Sequence, residues 1–419
     1  MITYYWPPAG GSGVQRWLKF IKYLPEFDIE TVVYTVKDPH YAIVDDSLLD
    51  EIPNELEVLK GGIWEPNSLL SKFGRSNKGP SAGFLNPKPS VTESLMQYIR
   101  ANYFIPDARK FWIKPSVKLL SSYLENNKID LIITTGPPHS LHLIGLELKK
   151  KYGLKWVADF RDPWTNIDYF HNLPLTKRSL KKHYDMETKV LKGADAVLVV
   201  GKSMKDEFTD RNSEVHVLTN GFDEVKESGK MDLDKHFSMS HIGLMNADRN
   251  PVVLWKVLKE LVDESPDFAN DLQVRMIGKC AEEVYKSVEE SGLQSKVSFE
   301  GYVGHHEVLQ YQQASQLLLL CVNKVPSAKS VVTGKVFEYL QSKRPILGIG
   351  PVDGDLAEIL EETKAGMMVD FDDMPALKNV IRQYYADFKA GTLRASTQNV
   401  DHYHRKNLTV KLASLLREI

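Results

Sequence analysis

The chain has 419 residues, enough for two or three domains. With 42% hydrophobic and 26% charged residues it is ordinary globular material, which excludes wholesale disorder. Lys and Arg total 53 against 55 Asp and Glu, so there is no basic field to hold a nucleic-acid backbone, and no nucleic acid is expected as a partner.

From the amino end, Ile2-Thr3-Tyr4-Tyr5 reads as the second half of a strand, so either the first strand is short or the chain starts a few residues late. No basic region followed by an apolar one precedes it, so no secretory signal is expected. Gly10-Gly11-Ser12-Gly13 follows as a turn. An amphipathic helix then places Val14, Leu18, Ile21 and Leu24 on one face. Residues 65–90 are too rich in Gly, Pro and polar side chains to bury a face and are expected to form a mobile loop. They lead into an aromatic and basic segment, 98–112.

Strand-like runs at 131–135, 156–158 and 196–200 then alternate with helical patterns at 141–152, 176–191 and 204–208. Asn220-Gly221-Phe222-Asp223 and the polar stretch 224–235 read as an interdomain linker. The alternation restarts with strands at 239–244, 272–277, 297–299, 317–322 and 345–349. Strands separated by helices predict βαβ units and parallel sheets covered on both faces. The fold class expected is α/β, with two doubly wound domains facing a cleft and ligands at the carboxyl ends of the strands. The purest apolar run, 317–322, has strand length, far short of the ~18 residues that cross a membrane. Cys280 and Cys321, the two cysteines, lie in apolar runs and read as reduced core residues of a cytosolic protein.

Five clusters can carry chemistry. The Gly10–Gly13 turn at a helix start lets backbone N–H groups approach an anion; it also reads as a plain strand–helix turn. Thr333-Gly334-Lys335 opens a second helix, offering backbone N–H groups and a cation to a phosphate, with Glu338 one turn on to accept from a ribose diol. Its bland alternative is a surface ion pair on a core helix. Arg249, just before Asn250-Pro251, suits a diphosphate or is a solvated helix-start charge. His139 in Gly136-Pro137-Pro138-His139-Ser140 can hydrogen-bond a substrate hydroxyl or pack locally. Asp159, Arg161 and Asp162 end a strand and either face the cleft or pair with one another. No metal ligand set is predicted: no two His residues stand at H-E-x-x-H spacing, and Asp232-Leu233-Asp234 falls in the linker. A G-x-S-x-G nucleophile turn is absent as well.

Taken together these residues resemble the GT-B glycosyltransferases of the retaining family-4 type, over nearly the whole chain. The resemblance is carried by Tyr5-Trp6-Pro7-Pro8 with the Gly10–Gly13 loop and Gln15-Arg16, by Asn220 to Asp223, and by 243–249. It continues in Phe299-Glu300-Gly301-Tyr302-Val303, in 334–340 followed by Arg344-Pro345-Ile346-Leu347, and in the terminal stretch 403–416. It implies an N-terminal Rossmann-like acceptor domain over 1–225, with a helix at 400–419 packing back onto it. A C-terminal Rossmann-like donor domain is implied over 226–399. The activity implied is transfer of a sugar from a nucleotide-sugar to a glycan or lipid-linked acceptor with retention, in the cytoplasm or at the inner face of the cell membrane. No cofactor is implied beyond the nucleotide-sugar as co-substrate, and no metal. His139, Lys335 and Arg249 would be catalytic. Gly11, Gly13, Tyr302, Val303, Ser330, Thr333, Gly334 and Glu338 would touch the donor, and Asp159, Arg161 and Asp162 would lie on the acceptor side. Two residues depart from the family's pattern. Ser330 stands where the first Glu of a Glu-x7-Glu pair is common, and Leu244 stands where a basic residue commonly follows Gly243. Either backbone N–H groups over 330–333 then hold the donor, or the protein has lost some activity. The alternatives kept are a non-catalytic protein of this fold that binds a glycan or partner, and a nucleotide-sugar epimerase.

Overall fold

The computed structural model describes residues 1–39, 41, 43–64, 90–167, 170–223, 232–395 and 398–419. Most of the loop expected over 65–90 and of the linker expected over 224–235 lies outside the described residues. The chain forms two units, Met1–Asn220 with Arg405–Ile419, and Gly221–His404.

The first unit is built on parallel strands β1 (Val32–Lys37), β2 (Glu57–Gly62), β3 (Leu131–Gly136), β4 (Lys155–Phe160), β5 (Ala196–Val199) and β6 (Val215–Val217). β1 pairs with β2, and β3 to β6 pair in sequence order. The start of the chain joins the two sets. Ile2 donates its N–H to Ile133 O at 2.7 Å, and Thr3 donates to Tyr34 O at 3.0 Å. Residues 1–3, from the strand expected over Ile2 to Tyr5, thus form a rung between β1 and β3. Strand order reverses at this rung, so the loops after it and after β3 flank a topological switch point.

One face of this sheet is covered by the helix Ser12–Tyr23, whose Trp17 and Phe20 pack with Val157, Leu198, Leu408 and Leu412. Leu408 and Leu412 belong to the terminal helix Arg405–Glu418. Leu141 and Ile144 of the helix Ser140–Tyr152 pack with Trp156 and Phe160. That helix ends at Gly153, whose φ of 68° makes the left-handed turn that favours glycine.

The second unit carries β7 (Phe237–Ile242), β8 (Leu272–Ile277), β9 (Val297–Gly301), β10 (Leu317–Cys321), β11 (Ile346–Ile349) and β12 (Gly366–Val369). All pair in parallel in the order β12-β11-β10-β7-β8-β9. The reversal lies between β7 and β10. The helix Lys335–Ser342 buries Val336, Phe337, Tyr339 and Leu340 against Leu318, Leu320 and Ile346. Tyr339 Oη also accepts the Ile242 N–H at 3.0 Å, pinning this helix to the last residue of β7. Cys280 and Cys321 are free and buried, and burial pushes both thiols up, to about 11 and about 12.

Candidate functional site

In the second unit three adjacent strand ends turn through glycine. Gly243, Gly278 and Gly301 follow or end β7, β8 and β9 with φ of 114°, 115° and 66°. A Cβ on Gly278 would stand 2.6 Å from the carbonyl oxygen of Gly243. A Cβ on Gly243 would stand 2.5 Å from Lys335 Cε and 2.8 Å from its Nζ. The missing side chain at Gly243 is the space that Lys335 occupies.

Lys335 enters that space because the apolar residues that follow it, Val336, Phe337, Tyr339 and Leu340, fix the face of its helix. Its Nζ stands 3.3 Å from His241 Nε2 and 3.5 Å from Leu244 O. Arg249 Nη1 donates to the same Leu244 O at 2.8 Å. Two cations therefore converge on one carbonyl oxygen at the switch point between β7 and β10. Burial, and after it the charge of Arg249, lowers the Lys335 pKa to about 7. A half-buried pair of like charges repels, and an anion that joins it relieves that repulsion.

Glu338 lies one turn beyond Lys335 and accepts from Gln312 Nε2 at 3.3 Å. Gly334 caps the helix, and Thr333 Oγ1 accepts the Lys335 N–H at 3.4 Å. Ser330 differs from the expectation. Its hydroxyl donates to Ser327 O at 2.9 Å, its N–H also goes to Ser327 O, and the Val331 N–H goes to Ala328 O. Two of the four backbone N–H groups expected to hold a donor over 330–333 are thus spent inside their own turn. The Tyr302 side chain is 94% exposed, whereas Val303 packs against the core cluster of Leu318 and Val336. His241, Gln312 and Asn246 complete the neighbourhood, and the sequence pointed to none of them. Asn246 is buried, and its Oδ1 has no hydrogen-bond partner among the described residues.

In the first unit Gly11, with φ of 93°, precedes the helix Ser12–Tyr23. A Cβ on Gly13 would stand 2.4 Å from Arg161 Nη1, and Arg161 donates from that nitrogen to Gly13 O. The same guanidinium donates to Pro137 O at 2.9 Å and to Gly136 O at 3.3 Å. Arg161 therefore clamps the glycine turn to the loop after β3.

Asp159 is fully buried and bonded to Arg16, Trp17 and Thr135, so it braces the fold and does not face an acceptor. Among the three charged residues expected on the acceptor side, Asp162 alone is exposed. His139 is 8% exposed, and its ring stacks on Trp164 with centroids 5.0 Å apart. Burial first, then the neighbouring His142, Arg161 and His183, push its pKa well below the usual histidine range, so the ring is neutral at physiological pH. The adjoining helix start is already occupied: Asp107 accepts from the N–H and the hydroxyl of Ser140, both at 2.9 Å. Among the described residues no three His, Cys, Asp or Glu side chains gather as a metal site.

With this geometry in view, the comparisons with known proteins are specific. Residues 85–226 match the Glycosyltransferase Family 4 profile, and residues 236–387 match that of Glycosyl transferases group 1. The chain belongs to the family-4 type of GT-B glycosyltransferases. Its α/β fold, with parallel sheets in two domains, agrees with solved structures. Sucrose-phosphate synthase from Thermosynechococcus elongatus aligns with TM-score 0.61 at 13% identity, over 100% of this chain and 97% of that one. S. aureus TarM, solved with fondaparinux, alpha-GlcNAc-glycerol and UDP, aligns with TM-score 0.58 at 12% identity, over 99% and 98%. The N-terminal domain of Candida albicans trehalose-6-phosphate phosphatase aligns with TM-score 0.63 at 13% identity, over 100% and 95%. At such identities the likeness speaks for the fold. A comparison with curated protein sequences finds no match. Within this glycosyltransferase, Lys335, Arg249, Thr333, Gly334 and Glu338 share one end of the second unit's sheet. Gly13, His139 and Arg161 meet at the switch point of the first.

Proposed function

We propose that this glycosyltransferase takes a sugar from a nucleotide-sugar donor and passes it, with retention of configuration, to a glycan or lipid-linked acceptor. The observation that carries this reading is the convergence of Lys335 and Arg249 on Leu244 O. As the glycosidic bond breaks, negative charge grows on the departing diphosphate. Two preorganised cations at a helix start are the group that stabilises it. Glu338 would take the ribose hydroxyls. Tyr302 and Val303 would border the nucleobase, and Thr333 and Gly334 the phosphates. His139, with Gly11 and Gly13, would serve the sugar from the first unit, and Asp162 the acceptor.

The test is nucleoside diphosphate release from a panel of nucleotide-sugars. No release with any donor, in the presence of lipid-linked and soluble glycans, overturns the reading. Because Arg249 and Lys335 supply the positive charge, release is expected to continue in EDTA. Loss in chelator with recovery in magnesium or manganese would refute that expectation. His139→Ala is expected to lower turnover more than it lowers affinity for the nucleoside diphosphate alone. An equal loss in both would move His139 away from the sugar.

Ser330, in place of a carboxylate, favours one second reading, a non-catalytic member that binds a glycan or partner; donor binding without release would identify it. An epimerase of the same fold would instead interconvert the donor with no acceptor present. We also place the acceptor at a membrane, with the protein bound peripherally at the inner face. In support, the helix Val91–Tyr103 leaves Val91, Leu95, Tyr98, Ile99 and Tyr103 exposed. Phe111 is exposed nearby, with Lys110 Nζ 5.1 Å from its ring centroid. We assign residues 65–112 to this contact, of which 65–89 lie outside the described residues. Flotation with anionic vesicles at low salt, lost at high salt, is the expected result. No flotation at either salt refutes it.

A further inference from the structure

We propose that His241 is a positioning residue, whose ring holds the Lys335 ammonium in place for the diphosphate. The inference rests on the donor-site reading above and deepens it.

His241 lies on β7 and is 1% exposed. An imidazole in the middle of a parallel sheet is an unusual choice, because an apolar side chain fills the same volume with no polar atoms to satisfy. Hydrogen-bond arithmetic says what the ring does there. Its Nδ1 stands 3.2 Å from Leu319 O on β10. A carbonyl oxygen only accepts, so Nδ1 carries the proton and donates. A neutral imidazole has one proton, so Nε2 presents a lone pair. That lone pair faces Lys335 Nζ at 3.3 Å, and an ammonium only donates. With Lys335 in its charged form, donors and acceptors then alternate along the row Leu319 O, His241, Lys335.

The surroundings keep the ring neutral. Burial lowers its pKa well below the usual range, and the charges of Lys335 and Arg249 act in the same direction. The groups that face it are Lys335, Arg249 and the carbonyls of Leu319 and Leu244. No carboxylate stands among those groups to hold the ammonium as an ion pair. A neutral acceptor orients Lys335 and adds no negative charge to that of Glu338, which already acts on the ammonium from one turn further along its helix, whereas an Asp at 241 would neutralise it. The backbone carbonyl of Leu319 in turn fixes the ring, so the strand pair β7–β10 aims a side chain that belongs to a different element.

The test uses the full-length protein and three variants. His241→Leu removes the acceptor at similar volume, His241→Gln returns an acceptor oxygen near the Nε2 position, and Lys335→Met removes the donor. Binding of UDP, ADP and GDP is measured, with melting temperature as the folding check. The expected result is about a tenfold loss in affinity for the preferred nucleotide in His241→Leu and recovery to within a few-fold in His241→Gln. In a Lys335→Met background, His241→Leu should cause no further loss. Additive losses in the double variant, or a His241→Leu protein that binds as the wild type does, would overturn the proposal.

Nitrogen-15 spectra of the histidine side chains decide the geometry without any nucleotide. Wild-type His241 should carry its proton on Nδ1, and Lys335→Met should shift its Nε2 resonance. A protonated Nε2, or no shift, refutes the positioning role. If the spectra agree and none of the nucleotides binds, the fault lies with the donor-site reading, and the contact between His241 and Lys335 stands.

Discussion

Lys335→Ala is expected to lower kcat/KM for the preferred nucleotide-sugar by about 10²–10³-fold, the range for removing one preorganised group from a developing charge. Turnover within a few-fold of wild type would remove Lys335 from the reaction. The same residue sets a pH dependence. With a pKa of about 7 in the free protein, its ammonium is fully present below that value and is lost as pH rises through it. kcat/KM, which reports the free enzyme, should therefore fall about tenfold per pH unit on the alkaline side. In the complex a diphosphate opposes deprotonation, so the limb seen in kcat should lie at higher pH. Stability moves the other way. The unfolded chain holds this proton up to about pH 10.4, so between about 7 and 10.4 it binds more protons than the native state, and stability rises with pH. Lys335→Ala should flatten that slope without lowering the melting temperature of the second unit. A marked drop in melting temperature would mean that the lysine braces the fold.

The largest loss of stability is expected from Asp159→Ala. Asp159 accepts from Arg16 Nη2 at 2.9 Å, Trp17 Nε1 at 2.6 Å and Thr135 Oγ1 at 2.7 Å, with the Asp159 side chain 0% and that of Arg16 1% exposed. Removing the carboxylate leaves a guanidinium buried without its counter-ion, which costs about 3–5 kcal/mol. Burial alone would raise the Asp159 pKa. The charge and hydrogen bonds of Arg16, with those of Trp17 and Thr135, outweigh it and hold the pKa below the ordinary value. The stability it contributes is therefore present above the unfolded carboxylate pKa and is lost as pH falls through the lower native value. Denaturant unfolding of the first unit measures this. The double variant Arg16→Met with Asp159→Leu should recover much of the loss, because no unpaired charge remains. A loss in Asp159→Ala under about 1 kcal/mol would show the pair to be a weak brace.

The parallel, two-unit α/β architecture was legible because β3, β5 and β10 are apolar runs of strand length with helical periodicity between them. Other elements gave less. β2 holds two apolar residues, Val58 and Leu59, and β12, Gly366-Met367-Met368-Val369, is four residues long with one β-branched side chain, so their strand character comes from pairing with β1 and β11. The helix Val91–Tyr103 did carry a signal, the Ser90–Glu93 capping box, ahead of the segment 98–112 that reads as aromatic and basic. At the site, Lys335 and Arg249 stood out because both are cations at helix starts. Whether Asp159 and Arg161 face outward or inward cannot be read from one strand's alternation, since both faces of this sheet are covered. His241 has no sequence signature at all, because its role exists only through a carbonyl on another strand and a lysine 94 residues further on.

The route of the chain has a consequence for how the molecule is made. The second unit is a continuous stretch, and its two ends touch: Phe222 donates its N–H to Tyr403 O at 3.1 Å. The first unit is interrupted, and Leu408 and Leu412, which finish the layer around Trp17 and Phe20, come from its last helix. During synthesis the second unit has its whole sequence while the first still lacks that layer. The first unit therefore lacks that layer over Trp17 and Phe20 until residues 405–419 have been made, so translation of its own strands does not by itself complete it.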